Sequence, residues 1–322
     1  MKLARLFIMT AILFAALTAC GGTSRDGQIT VGIIQLVDHP SLNEIREAFL
    51  EEMHNLGYYD VDFDVRIGPG ADMGALTSIA QLFVGQRVDM ILAIATPAAQ
   101  AAAASTSDIP IVFAALSNPI AAGVVSNLDS PDRNLTGTSD ALPVADVFAL
   151  ARQLTPEAQT FGFVYNLGES NSVAIIEQTR AFFAANGLNY LEATVTSTAE
   201  VQQAALSLVG RVDAFFTPTD NTVASAMPIF ARVAIDAGIP IYTGADSMVR
   251  DGGFATVGIN YTDLGIETAR IAAQVLEGTP IADIPVKMME GSGPVVNRAT
   301  AEALGISLEG LVGIEIYEGT LP

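Results

Sequence analysis

Short apolar runs alternate along the chain with longer stretches in which apolar residues recur every three or four positions. Val31 to Val37 is apolar except for Gly32 and Gln35, which predicts a buried strand. Ser41 to Leu56 then places Leu42, Ile45, Phe49 and Met53 one helical turn apart, which predicts an amphipathic helix. Further runs at Met90 to Ala95, Ile109 to Leu116, Phe161 to Tyr165, Phe215-Phe216 and Ile241 to Thr243 repeat the strand-then-helix order. Strands joined through helices form parallel sheets with helices on both faces, so the pattern predicts an α/β protein.

The pattern also repeats itself. Val84-Gly85-Gln86-Arg87-Val88-Asp89 leads into an apolar run, then Thr96-Pro97 and a helix. Val209-Gly210-Arg211-Val212-Asp213 leads into another run, then Thr217-Pro218-Thr219-Asp220 and a helix. Each copy continues to a matching strand, Ile109-Pro110-Ile111 in one and Ile239-Pro240-Ile241 in the other. Upstream, Ala48-Phe49-Leu50 runs to Gly57 as Ala181-Phe182-Phe183 runs to Gly187. Landmarks in the same order, polar punctuation included, predict two copies of one unit. The expected architecture is two Rossmann-like parallel-sheet lobes joined by a hinge.

Pro131 to Asp140 is polar and turn-rich and lies between the copies, so the first crossing is placed there. By analogy with two-lobe binding folds, the helix expected at Thr262 to Gly278 returns to the first lobe and the tail rejoins the second. The expected division is 29–138 plus 260–285 for the first lobe and 139–259 plus 286–322 for the second.

At the amino terminus, Lys2 and Arg5 precede an almost unbroken apolar stretch from Leu6 to Ala19. As a helix it would reach only ~21 Å, short of a ~30 Å hydrocarbon core, and it reads as the core of a signal peptide covering residues 1–19. Leu17-Thr18-Ala19-Cys20 resembles the lipobox of bacterial lipoproteins, which implies cleavage before Cys20 and lipidation of its thiol. Residues 20–28 then form a small, polar tether. Because Cys20 is the only cysteine, an internal disulfide framework and any Cys-based zinc site are excluded. The formal net charge of -20 disfavours nucleic acid and charge-driven adsorption to anionic lipid.

In open parallel sheets, ligands bind beyond the carboxyl ends of the strands. Those positions here carry Gln35 and His39; Thr96; Ser117 and Asn118; Asn166, Ser170 and Asn171; Asp220 and Asn221; and Asp246, with Thr138 in the crossing segment. Any one of them could simply cap a helix. Together they suit a zwitterionic amino acid. Its carboxylate would accept from backbone N–H groups near Thr96 or Ser170, and its ammonium would pair with Asp220 or Asp246.

Gly32-Ile33-Ile34-Gln35 with His39-Pro40, Ala95-Thr96-Pro97-Ala98-Ala99-Gln100, Asn134 to Asp140 and Pro218-Thr219-Asp220-Asn221 resemble the ABC transporter substrate-binding family that includes the tryptophan/tyrosine-binding lipoproteins. The resemblance implies a type I periplasmic-binding fold and delivery of a small ligand to an ABC permease and its ATPase. It also implies no catalysis; a monomer without cofactor is expected, the lipobox places it at the outer side of the cytoplasmic membrane, and no His/Cys/carboxylate cluster has metal-ligand spacing. Ser117-Asn118-Pro119 departs from the pattern, since many relatives have aspartate before the proline. Phe113, Tyr165, Tyr242 and Tyr261 are the aromatic residues that could stack on a ligand.

Two enzyme classes are weaker fits. Gly68-Pro69-Gly70-Ala71-Asp72-Met73-Gly74 echoes a dinucleotide fingerprint, but its spacing is wrong and its proline removes a phosphate-facing N–H. A hydrolase would need a nucleophile elbow, which is absent, and only His39 and His54 could serve as its base. Sugar- and nucleoside-binding proteins, and ligand-sensing partners of membrane receptors, share the fold and remain alternatives at this point.

Overall fold

The computed structural model describes residues 28–70, 72–291 and 293–322. Cys20 and the apolar leader lie outside them. The first sheet is built from β1 (Thr30–Gln35), β2 (Asp62–Ile67), β3 (Met90–Ile94), β4 (Ile111–Ala114), β5 (Leu135–Ser139) and β11 (Lys287–Met288), in the order β11-β5-β4-β3-β1-β2. All its pairings are parallel. Its helices are α1 (Pro40–Asn55), α2 (Met73–Gln86), α3 (Thr96–Ser105) and the late-coming α10 (Tyr261–Leu276).

The second sheet contains β6 (Thr160–Asn166), β7 (Asn189–Val195), β8 (Ala214–Thr217), β9 (Ile241–Thr243), β10 (Ala255–Gly258), β12 (Gly293–Asn297) and β13 (Glu315–Tyr317). Their order is β13-β12-β10-β9-β8-β6-β7, with β10 and β12 antiparallel. It is flanked by α4 (Val144–Leu154), α5 (Ser170–Asn186), α6 (Val201–Leu208), α7 (Asn221–Ser225), α8 (Met227–Ala237), α9 (Asp246–Arg250) and α11 (Arg298–Leu304). The observed architecture is the expected pair of α/β lobes.

The duplicated aspartates have one job. Asp89 Oδ2 accepts from the Thr30 amide at 2.7 Å at the start of β1, and Asp213 Oδ2 accepts from Gln159 and Thr160 at 2.9 and 2.8 Å at the start of β6. The Ile-Pro-Ile landmarks also match: the Ile91 amide donates to Pro110 O at 2.9 Å, and that of Phe215 to Pro240 O at 2.8 Å. The cores differ. In the first lobe Ala98, Ala99, Ala101 and Ala102 of α3 are buried, whereas the second lobe stacks Phe148, Phe161, Phe163, Phe183 and Phe216 edge-on.

Two features depart from the pattern reading. Leu135–Ser139, taken above as part of a turn-rich crossing, is a fully buried strand. Its threonines are satisfied, Thr136 Oγ1 donating to Ile284 O at 2.8 Å and Thr138 Oγ1 meeting Thr268 Oγ1 of α10 at 2.7 Å, while Ser139 Oγ is buried without a partner. Gly137 is required there, since a Cβ would fall 2.0 Å from Phe113 O. In the tail, Lys287 and Met288 still pair with β5, and the chain enters the second sheet only at Gly293, later than the Val286 expected. α10 lies against α1, where Gly265 permits the approach: a Cβ would stand 2.6 Å from Ile45 O.

Candidate ligand-binding site

The carboxyl ends of β1, β3 and β4 face those of β8 and β9 across a cleft whose walls touch. Ser41 Oγ bonds Ser247 Oγ, Ser117 Oγ and Thr219 Oγ1 lie 2.8 Å apart, and Arg250 reaches Glu44 at 3.0 Å. Each contact joins one lobe to the other, so the conformation is closed. Between them remains a narrow cavity, lined by residues of both lobes.

Six of the expected residues line it: His39, Thr96, Ser117, Asn171, Asp220 and Asn221. His39 precedes α1 and its Nδ1 faces the Ser41 amide and hydroxyl at 3.3 and 3.1 Å. Its Nε2 is buried with no hydrogen-bond partner, and so is Asn171 Oδ1, while Asn171 Nδ2 donates to Thr219 O at 2.8 Å. Unpartnered polar atoms on a cavity wall are costly unless something else meets them. Burial lowers the His39 pKa, with Asp251 opposing the shift.

Thr96 does not cap α3, as its place before Pro97 suggested. The helix starts at Thr96 itself, Ala95 takes the cap position with φ 79° and ψ 156°, and no side chain covers the first turn. Ala115, after β4, also has positive φ, 57°. Such backbone is strained for alanine and typical of functional sites. Both alanines line the cavity, so the helix start, with its free N–H groups and positive dipole end, opens onto it.

Asp220 is spent on the protein itself. Its Oδ1 accepts from the Val223 amide at 2.8 Å, capping α7, and its Oδ2 accepts from Asn166 N at 2.6 Å. Burial and the nearby Glu169 carboxylate push its pKa up to about 7. Glu169 accepts from the amides and side chains of Asn221 and Thr222 at 2.6–2.9 Å, fixing the start of α7.

The other expected residues stand behind the wall. Gln35 bonds Val37 O and Asn43 at 2.7 Å and braces the loop to α1. Asn118 accepts from the Ala121 amide at 2.9 Å in a turn, Thr138 holds α10, and Asn166 holds Thr222 at 2.8 Å. Ser170 Oγ is buried without a partner but does not line the cavity. Asp246 is paired with Arg250 at 3.0 Å, and burial, the larger effect, raises its pKa. Of the four candidate aromatics, Tyr261 reaches the cavity, while Phe113, Tyr165 and Tyr242 are core.

Asp140, Ser41, Thr219 and Ser247 line the cavity without having been singled out. Asp140 follows β5 directly and is buried. Its Oδ1 accepts from Ser117 Oγ at 3.0 Å and its Oδ2 from Tyr261 Oη at 3.3 Å. Burial raises its pKa, the two hydroxyls working the other way. The strand-end rule would have found Asp140 had Leu135–Ser139 been read as a strand.

A donor-rich helix start, an aspartate without a cation, and apolar walls from Leu42, Ala224, Ala245 and Met248 form a binding cavity. Residues 30–315 match the model of a family described as ABC transporter substrate binding protein. The chain belongs to this family. It is the solute-binding component of an ABC importer, a non-catalytic member of a family that acts outside the cytoplasm and serves a permease and its ATPase. It is 38% identical to a tyrosine-binding protein of Clostridioides difficile, over 88% of this chain and 82% of that one. A Streptococcus pneumoniae ABC domain in complex with L-Trp is 33% identical with a TM-score of 0.86, covering 90% of this chain and all of that one. The ligand-free, open structure of an adhesive substrate-binding protein from Clostridium difficile is 36% identical with a TM-score of 0.71, covering 91% of this chain and all of that one. In this substrate-binding protein the lobes are shut, consistent with the lower score against an open relative.

Proposed function

We propose that this substrate-binding protein captures an α-amino acid, with an aromatic side chain preferred, by closing its lobes on it. The observation that carries the reading is Asp140: a buried carboxylate with two neutral hydroxyl donors and, among the described residues, no cation, on the wall of the interlobe cavity. A ligand ammonium supplies the missing positive charge. The ligand carboxylate is received by the uncapped start of α3, with Thr96 beside it, and the orphaned His39 Nε2 and Asn171 Oδ1 complete the polar end. The side chain lies among Leu42, Met248 and Tyr261. The tyrosine-binding relative and the relative in complex with L-Trp favour an aromatic one.

The test is a thermal-shift screen of amino acids, sugars and nucleosides against the chain from Gly21 onward. At a ligand concentration a hundredfold above Kd, stabilisation of about 2.7 kcal/mol is expected. A shift with sugars alone, and none with L-tyrosine, L-tryptophan or L-phenylalanine, would overturn the ligand class.

The reading includes lipidation at Cys20, which would tether a monomer to the outer side of the membrane through residues 20–28. The three chain passages between the sheets, near 139–144, 258–261 and 288–293, serve as its hinge. Mass spectrometry of the membrane-extracted protein should find a diacylglyceryl-modified Cys20 as the first residue; an unmodified chain starting at Met1 would refute this.

A further inference from the structure

Closing the cleft brings like charges together. Glu44, on α1 of the first lobe, comes close enough to Asp246, on α9 of the second, to oppose its ionisation. Arg250 lies between them: its Nη2 reaches Glu44 Oε2 at 3.0 Å, and its Nη1 reaches Asp246 Oδ2 at 3.0 Å. Among the described residues, Arg250–Glu44 is the only ion pair that joins the two lobes. Each half is held within its own lobe. Glu44 Oε1 accepts from Thr262 Oγ1 of α10 at 2.8 Å, and Arg250 is held by Asp246 one helical turn back. None of these residues lines the ligand cavity, although Ser41 and Ser247, close by in sequence, do.

We propose that Arg250 is a charged clasp: by bridging Glu44 and Asp246 across the cleft it stabilises the closed conformation without touching the ligand, and so prolongs ligand retention. Pre-aimed partners lose little side-chain freedom when the lobes meet, which is what makes an ion pair useful as a clasp. With Arg250 removed, closure would bring Glu44 towards Asp246 with nothing between them. The side chains of Arg250 and Glu44 are 38% and 30% exposed, so the effect is moderate and screened by salt.

The decisive measurement needs no ligand. In the chain from Gly21 onward, which has no native cysteine, labels at Ser78→Cys in the first lobe and Ser207→Cys in the second report the interlobe distance; both positions are exposed. At low ionic strength, R250Q and E44Q should each lower the closed-to-open ratio about two- to fivefold. The E44Q/R250Q double variant should be no more open than R250Q, and R250K should recover part of the ratio. Near 1 M salt, the wild type should approach R250Q. Distance distributions that are the same in wild type and R250Q, both fully open included, would overturn the clasp. So would a change that E44Q does not share or salt does not mimic, since that would assign Arg250 to packing.

The second readout rests on the amino-acid reading above: L-tyrosine should leave R250Q two- to fivefold faster, with its association rate unchanged. Equal dissociation rates would count against the clasp. If L-tyrosine fails to bind even the wild type, the ligand class falls and the distance measurement still decides the clasp.

Discussion

In the first lobe the chain leaves β3 through Ala95, in a backbone conformation alanine rarely adopts, and starts α3 with no side chain over its first turn. At the matching place in the second lobe it leaves β8 and reaches Asp220, which caps α7 and ties Asn166 to the same carboxylate. Two copies of one plan thus treat the same helix start in opposite ways. The second lobe consumes its carboxylates internally, Glu169 included, and offers the cavity mainly a rigid wall. The first lobe leaves its donors open and supplies Asp140. Shared residues such as Asp89 and Asp213 maintain the scaffold, and the sequence differences at the strand ends make the site.

The largest expected effect tests the cores. Phe183 is fully buried and meets Phe148, Phe161 and Phe163 at 4.7–5.3 Å, so Phe183→Ala should cost about 3–5 kcal/mol in denaturant unfolding. A cost below about 1 kcal/mol would mean the aromatic core does not set the second lobe's stability. Next, Asp140→Asn should weaken amino-acid binding by about 2–3 kcal/mol, on the order of a hundredfold in Kd, with little change in Tm. Asp220→Asn should do the reverse, lowering Tm more than affinity. Equal affinity losses would erase the division of labour between the lobes.

A smaller difference separates the duplicated aspartates. Asp213→Ala removes two acceptor contacts and Asp89→Ala one, so the first should cost about 0.5–1.5 kcal/mol and the second less. Urea midpoints in the reverse order would show that the copies do not share this role. The last effect expected is a pH response. Asp220 titrates near 4 when unfolded and is pushed up to about 7 in the fold, so between these values the folded protein holds the extra proton. Its contribution to stability therefore falls as pH rises from about 4 to about 7. Over this range Tm should therefore fall in the wild type relative to Asp220→Asn; parallel Tm–pH curves would sink the assignment.

Much of this was legible in the chain. Strands and helices with apolar periodicity were found to within a few residues, and the repeated Arg-Val-Asp landmarks marked the duplication because their aspartates lock equivalent strand starts. Leu135–Ser139 was missed because its threonines are buried by hydrogen bonds from α10 and the segment at Ile284, about 130 and 150 residues away in sequence. Missing that strand hid Asp140. Ser247 was missed since it reaches the cavity only when the second lobe closes on the first, whereas Tyr261 was among the aromatic candidates and does line it. For Asp220 and Asp246, sequence gave the right chemistry but no partners, and those partners, backbone amides and Arg250, decide what the carboxylates do.

The threading has a further consequence, for the order of folding. α10, which covers α1, begins at Tyr261, and both sheets receive their last strands after residue 286. As the chain emerges from the ribosome, neither lobe can complete its layers until nearly the whole polypeptide has been made. Premature stops around residue 260 should therefore yield two unfinished sheets, not one folded lobe beside a loose remnant, which makes the polypeptide an all-or-nothing product of synthesis.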